Sequence, residues 1–371
     1  MHFGFGFAGI GWPEVVSPAR LVPRETDPTV SVIMIFLDAV EFIAEAIDSV
    51  LAQTFDRWEL ILVDDGSRDG SSKLAERYAA SHPERIRMLR HPGGGWLGTG
   101  PSRALGVSAA RGRHIAFLDA DDVFERGRLV AHVDALQRDP SLVMVQSLLV
   151  YWHSWRSGAS DVLEPPVFRD EATVIMPPGM LLLMVGTAGA RVPGVCSVTA
   201  RADAVRAVGG FEADFNGAYE DQVLWMKLYL YGNVLCLNRY LARYRQHAQS
   251  LTQRASIAGV YTPGRAHLVR KQLFLWLRAC LLEKNVRNLM LERWVAQEIA
   301  ANEPGAPGSF PQSWGRGLKQ WILSISPSLL RTCLLTAGRA MKRHRTKRRV
   351  AQIAAAVFRD YGVAQDRPDR H

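Results

Sequence analysis

Carboxylates at four places along this chain have the types and spacing to do chemistry. They are Asp38 at the end of an apolar run, V-D-D-G-S at 63–67, L-D-A-D-D at 118–122 and G-A-Y-E-D at 217–221. A carboxylate that ends an apolar run sits where a buried strand reaches solvent. Several such ends at one sheet edge crowd negative charge, and unpaired carboxylates repel one another. A divalent cation with a polar ligand relieves that repulsion, and hard oxygen donors suit Mg2+ or Mn2+. The pattern predicts a metal-assisted enzyme.

These groups need a frame, and the flanking residues supply one. V-S-V-I-M-I-F-L at 30–37 is a continuous apolar run rich in β-branched residues, as expected for a strand buried on both faces. Phe42, Ile43, Ala46, Ile47, Val50 and Leu51 then recur at helical spacing over 41–53. Strands follow at 58–63, 85–90 and 114–118, with helices at 71–80 and 101–110. Such alternation predicts an α/β fold with right-handed crossovers, a Rossmann-like, mostly parallel sheet flanked by helices. In such sheets ligands bind beyond the carboxyl ends of the strands, where Asp38, Asp64, Asp65, Asp119 and Asp121 fall. Taken singly, each also suits a turn or a helix cap; together at one edge they point to a site. A helix at 125–138 and a strand around 142–151 open the middle section, where 177–186 and 188–194 read as loop-bounded elements of an acceptor region. Helical periodicity over 221–231 puts Glu220 and Asp221 at a helix start. The dipole there favours negative charge by about 0.3–1 kcal/mol, so Asp221 is expected to stay ionised.

The 371 residues suffice for one large domain with an appendage. Residues 1–29, with several Pro and Gly and no period, read as a poorly ordered arm. Cys196, Cys236, Cys280 and Cys333 are far apart and form no C-x-x-C pair, so a reduced, cytoplasmic setting is expected. The N-terminus lacks the basic start and long apolar segment of a signal peptide, and no run of ~18 apolar residues marks a spanning helix. After about 255 the pattern becomes helical: an apolar helix at 265–283, a linker at 302–311, an apolar stretch at 318–336 and an Ala-rich helix at 350–361. Packing of these helices on the catalytic domain is one reading, and lying on a membrane surface is the other. Net charge is +9, concentrated in R-A-M-K-R-H-R-T-K-R-R at 339–349. That block suits a solvated helix face or peripheral contact with anionic lipid on the inner face of the cell membrane. It lacks the interleaved aromatics of a base-stacking surface, so no nucleic acid partner is expected.

V-S-V-I-M-I-F-L-D-A, then S-V-L-A-Q-T-F-x-x-W-E-L-I-L-V-D-D-G-S-R-D-G-S, resembles the start of the family 2 glycosyltransferases with the GT-A fold. The likeness continues through A-A-R-G-R-H-I-A-F-L-D-A-D-D, V-G-G-F at 208–211 and Y-E-D-Q-V-L-W, and ends near Y-R-Q-H-A-Q-S-L-T at 244–252. It covers 30–252, divided into a nucleotide-binding half (30–122) and an acceptor half (123–252), with 253–371 left as a helical C-terminal region. The resemblance implies inverting transfer of a sugar from a nucleoside diphosphate donor, a UDP-sugar above all, to a hydroxyl of a saccharide or lipid-linked acceptor in bacterial surface glycan synthesis. It implies that Asp38 lies near the nucleotide base and that Asp65 hydrogen-bonds it. Asp119 and Asp121 form the D-x-D, with Asp121 on Mg2+ or Mn2+ and Asp119 on the ribose or the metal's water shell. Asp221 becomes the general base with Glu220 in support, and His247 approaches the metal or diphosphate. Arg103 either anchors the diphosphate or salt-bridges a neighbouring helix.

The chain departs from the family at places. Members commonly carry Pro or Thr at Ile35, Tyr at Leu37 and Asn at Asp38, and their Ala-Arg-Asn is Ser102-Arg103-Ala104 here. The preceding loop at 92–100 is rich in glycine and holds Trp96, which either stacks on a sugar or packs. The Q-x-x-R-W signature of processive synthases is missing, which favours transfer of single residues. Two rival functions remain. A nucleotidyltransferase would show a basic Gly-rich loop after the first strand, where this chain has L-D-A-V-E-F. A catalytically decayed glycan-binding scaffold fits poorly with intact D-A-D-D and E-D pairs.

Overall fold

The run V-S-V-I-M-I-F forms β1 (Val30–Phe36), every residue of it buried. Its side chains alternate between two cores: Ile33 and Ile35 face one, while Val30, Val32, Met34 and Phe36 face the other. A strand covered on both faces must lie inside a layered sheet, and it does. The computed structural model describes residues 27–156, 158–168, 170–186, 192–257 and 268–303.

The first half alternates as its pattern predicts: α1 (Ile43–Leu51), β2 (Trp58–Asp64), α2 (Ser71–Ser81), β3 (Ile86–Arg90), α3 (Thr99–Ala109) and β4 (His114–Asp119). The apolar stripe of α1 buries Ile43, Ala46, Ile47 and Val50, one face of a 3.6-residue period. The second half holds β5 (Val123–Phe124), α4 (Arg128–Arg138), β6 (Leu142–Trp152), β7 (Val162–Leu163), β8 (Ala172–Ile175), α5 (Gly179–Gly186), β9 (Val198–Arg201), α6 (Ala202–Ala207), α7 (Glu220–Tyr231), β10 (Asn233–Arg245) and α8 (Leu251–Ile257). Two further helices close the described chain, α9 (Leu268–Glu283) and α10 (Leu289–Ala301).

All ten strands join one sheet, in the order β3-β2-β1-β4-β9-β6-β10-β5, with β7 on β6 and β8 on β10. The block β3-β2-β1-β4 is parallel, and so is the long pair β6-β10. Between them β9 runs antiparallel to β4 and to β6, and stitches the two halves together. The parallel block brings the carboxyl ends of β1, β2 and β4 to one edge, so the carboxylates at 38, 64–65 and 119–122 converge. Close approach fixes the helix on that face: a Cβ at Gly106 of α3 would come within 2.4 Å of Ile33 on β1.

Three expectations are refined. Thr29, at the end of the supposed arm, is buried; its amide donates to the Arg57 carbonyl (2.7 Å) and its carbonyl accepts from the His114 amide (3.0 Å). Residues 1–26 of the arm lie outside the described residues. Second, α10 was not anticipated, and the sequence linker begins only after it, at its C-cap Asn302. Third, α9 and α10 share the core of α5 and α7, through Leu273, Leu277, Leu291 and Val295. The basic block at 339–349, the stretches at 318–336 and 350–361, and Cys333 lie outside the described residues.

Candidate active site

Beyond β1, Asp38 adopts a left-handed backbone, φ 48°. That region is tolerated by Asn and Asp better than by most residues, which accounts physically for Asp standing where relatives commonly have Asn. Its carboxylate accepts from the Arg68 amide at 2.7 Å, and its own amide donates to Ser67 Oγ at 3.1 Å. Asp64, at the end of β2, is taken up by structure: it accepts from the Gly66 and Ser67 amides, Ser72 Oγ and Arg90. Burial works against its ionisation, yet these donors prevail and hold its pKa below the ordinary value.

Asp65, the expected base contact, is nearly inaccessible (4% exposed). Its two oxygens accept from the Leu97 amide (2.8 Å) and the Gly98 amide (2.9 and 3.2 Å), so it ties down the glycine-rich loop. From the other side, Asn216 Nδ2 donates to the Leu97 carbonyl (2.6 Å) and the Gly217 amide donates to Thr99 Oγ1 (3.3 Å). Only glycine fits at 98: its φ is +97°, and a Cβ would overlap Asn216 Oδ1 at 2.2 Å. The loop is thus clamped between the nucleotide-binding edge and the segment that carries the E-D pair.

Arg103, on α3, joins the two acidic motifs. Its guanidinium donates to Asp119 Oδ1 at 2.7 Å and to Glu220 Oε1. The residue is buried, and burial alone would lower its pKa. The fields of Asp119, Glu220 and Asp221 outweigh that and raise it. Of the two roles expected for Arg103, the ion pair to a neighbouring helix is the one made within the chain, because Glu220 opens α7. Glu220 supports the site by holding this cation.

Asp221 differs from the expectation of a simply ionised group. Burial comes first, then the neighbouring Glu220, and together they outweigh Arg103 and the helix start, raising its pKa to about 7. The dipole contribution of at most about 1 kcal/mol is too small to offset desolvation plus an adjacent like charge. Asp119 is also raised, by burial and by Asp121 against the pull of Arg103. Behind the D-x-D, Asp122 is buried, accepts from the Arg245 amide (2.9 Å) and touches the Cys196 thiol; burial and the neighbouring aspartates push it well up.

His247 Nε2 lies 2.9 Å from Asp121 Oδ2, so the late histidine and the second carboxylate of the D-x-D meet in the cleft. The imidazole packs on Phe42 with ring centroids 4.6 Å apart, and its buried Nδ1 has no partner among the described residues. Two residues earlier, Arg245 donates to the Asp121 carbonyl (2.7 Å) and to Glu45, and its guanidinium lies over Trp152 at 4.2 Å. This backbone brace was not anticipated, although R-Q-H at 245–247 places it beside the histidine.

Asp65, Arg103, Asp119, Asp121, Asp122, Glu220, Asp221 and His247 line one cleft of about 1220 Å³, together with Asp38, Arg68, Trp96 and Gln222. Trp96 is 67% exposed, which rules out the packing role for its side chain. Among the described residues no three His, Cys, Asp or Glu side chains form a complete ion cage. The donors fit a dication even so. Asp121 and His247 offer adjacent oxygen and nitrogen ligands, three carboxylates (Asp119, Glu220, Asp221) act on the buried Arg103, and Mg2+ commonly takes one or two carboxylates plus substrate phosphates.

Residues 31–192 match the family model described as Glycosyl transferase family 2. The putative glycosyltransferase EpsE of Bacillus subtilis is 38% identical over 111 residues, 30% of this chain and 39% of that protein. The minor teichoic acid biosynthesis protein GgaB of the same organism is 30% identical over 130 residues, 34% of this chain and 14% of its own length. The chain therefore spans well under half the length of these curated relatives. Among solved structures, S. aureus TarS 1–349 in complex with UDP-GlcNAc superposes with a TM-score of 0.55 at 15% identity, covering 92% of this chain and 94% of that one. That likeness concerns the fold, and at 92% of the chain it extends past the family match. Residues 31–192 thus carry the family 2 glycosyltransferase match, within a chain whose fold is that of the GT-A structure TarS.

Proposed function

We propose that this protein transfers a sugar from a nucleoside diphosphate donor, UDP-linked, to a hydroxyl of a saccharide or lipid-linked acceptor, with inversion, in bacterial surface glycan synthesis. The observation that carries the reading is Arg103, whose one guanidinium holds Asp119 of the D-x-D and Glu220 beside Asp221 across a single cleft. Donor chemistry and acceptor chemistry then meet within the reach of one side chain. The relatives in teichoic acid and glycan synthesis, and the neighbour bound to UDP-GlcNAc, support the donor and pathway class.

Roles divide by position. Asp121 and His247 would hold Mg2+ or Mn2+, with Asp119 in the ion's water shell or on the ribose. When bound, the ion offsets charge on the leaving diphosphate oxygens. Asp38 and Asp65 border the nucleoside, Asp65 acting through the loop it anchors. Asp221 takes the proton of the acceptor hydroxyl as that oxygen bonds to C1 and the C1–diphosphate bond breaks, a single displacement that inverts the centre. A base with a pKa near neutrality suits this step, because it is deprotonated at working pH and still basic enough to accept the proton.

A thermal-shift panel of UDP-, GDP- and dTDP-sugars with Mn2+ identifies the donor; stabilisation by none of them would refute the reading. Asp121→Ala should abolish transfer and metal-dependent nucleotide binding, whereas Asp221→Ala should abolish transfer and keep binding. Near-normal turnover in either variant overturns these assignments. Among the described residues no helix is long and apolar enough to cross a membrane. For the basic block at 339–349, salt-sensitive binding to anionic vesicles is expected, and unchanged binding after deletion of 315–371 would exclude it.

A further inference from the structure

The α9–α10 hairpin lies beyond the family match, yet two of its side chains reach the segment that carries the general base. Tyr219, immediately before Glu220, is a buried non-glycine residue with a left-handed backbone, φ 65°. Such a conformation persists in a bulky residue only where its surroundings fix it. The Tyr219 carbonyl accepts from the Val223 amide of α7 at 2.9 Å, and its side chain is held from α9, where the Arg270 guanidinium donates to the Tyr219 hydroxyl and also to Glu298 Oε2 of α10 at 3.1 Å. Four residues earlier on the same segment, buried Phe215 meets Trp276 of α9 edge to face, with centroids 6.1 Å apart. The two contacts bracket Asn216 and Gly217, the residues that clamp the glycine-rich loop from the acceptor side.

We propose that Arg270, Tyr219 and Trp276 are positioning residues of the transfer reaction, through which the α9–α10 hairpin sets the placement of Asp221. The inference rests on Asp221 as the base. α7 begins at residue 220 with no side-chain cap, so the direction in which Asp221 leaves the first turn follows from the backbone of 217–219. That backbone turns through Gly217 (φ 77°) and Tyr219 and is held by the hairpin. Asp119, Asp121 and His247 sit on other segments, and the hairpin contacts described here do not include them. Loosening the brace therefore acts first on the base, whereas Asp121 and His247 are carried by other segments, and small misplacements of a catalytic group cost rate steeply.

The test compares wild type, Tyr219→Phe, Arg270→Lys, Arg270→Ala and the Tyr219→Phe/Arg270→Ala double variant of the full chain. Turnover is read as Mn2+-dependent hydrolysis of the nucleotide sugar that most stabilises the wild type, with water in the place of the acceptor. Tyr219→Phe removes one hydroxyl and keeps the ring packed, so it folds even if Arg270→Ala does not. The expected result is a five- to fiftyfold loss of kcat in Tyr219→Phe and Arg270→Ala, with donor KM and nucleotide Kd within twofold of wild type. Arg270→Lys should regain part of the rate, and the double variant should lose no more than the worse single one, as two ends of one contact do. Unchanged kcat in Tyr219→Phe, additive losses, or an equal loss of nucleotide affinity would each overturn the proposal. A wild type that binds and hydrolyses no nucleotide sugar would instead sink the glycosyltransfer reading.

Discussion

The two sides of the cleft treat their carboxylates in opposite ways. On the nucleotide edge, Asp38 accepts from one backbone amide, Asp65 from two, and Asp64 from two amides, Ser72 and Arg90, which hold it below its ordinary pKa. On the reacting side, Asp119, Asp122 and Asp221 are all raised: burial and neighbouring carboxylates outweigh Arg103 at Asp119 and Asp221, and the Arg245 amide and Cys196 thiol at Asp122. Satisfied acids build loops, whereas under-compensated acids mark the place where a cation and a proton are to be handled. Identical residue types therefore do different jobs, and the difference lies in how many donors the fold brings to each.

The largest effect should come from the reacting side. Asp221→Asn keeps the shape and removes the basicity, so transfer should fall by ~10²–10⁴-fold with nucleotide affinity intact; steady-state kinetics beside calorimetry checks both. Next is pH. Asp221 must be deprotonated to act, so kcat/KM should fall about tenfold per unit below an acid limb near 7. The sign for stability is the reverse. A carboxyl raised from 3.8 to about 7 is favoured in the fold when protonated, so its contribution is lost as pH rises through that interval. Asp221→Asn should accordingly melt above the wild type at pH 8, and an equal or lower melting temperature would count against burial as the cause.

Removing the shared cation comes third. Arg103→Met leaves Glu220 and Asp119 unpaired and should cost roughly 3 kcal/mol, the low end for a broken buried pair because the Asp119 side chain is 29% exposed. Denaturant unfolding reads it, and Arg103→Lys should fall between. On the nucleotide edge Asp65→Ala strips two amides of their acceptor, a cost of about 1–3 kcal/mol, and should weaken nucleotide binding without moving the acid limb. Trp96→Ala should change stability by no more than about 0.5 kcal/mol, so any change in KM reports contact with substrate.

The nucleotide half was legible because its strands are apolar runs and its helices keep a clean period; β1, α1, β2 and α2 fall within two residues of their expected bounds. β9 was not, since V-T-A-R is four residues long and owes its strand geometry to neighbours on both sides. β10 was legible only as motif fragments: its polar positions and register shifts after Asn233, Leu237 and Tyr240 break the alternation that marks a strand. Among site residues, the family resemblance assigned Asp119, Asp121, Glu220, Asp221 and His247 to one site, and the five side chains line one cleft. Spacing did not show that Asp65 would be spent on amides 32 and 33 positions away, or that Arg270 would reach Tyr219. Those facts depend on loop paths and on helices outside the motif-bearing region.

The antiparallel strand at the seam also bears on how the molecule is made. β4 pairs with β1 on one side, and among the described residues its other edge pairs with Thr199, Ala200 and Arg201 of β9. About 80 residues separate the end of β4 from β9, so a ribosome adding ~5–20 residues per second leaves that apolar edge bare for roughly 4–16 s. An open edge of this kind recruits other strands. Synthesis speed through the segment between β4 and β9 thus sets how long that edge stays bare, and slow codons placed there should send more of the nascent protein into aggregates than the same codons placed after β9.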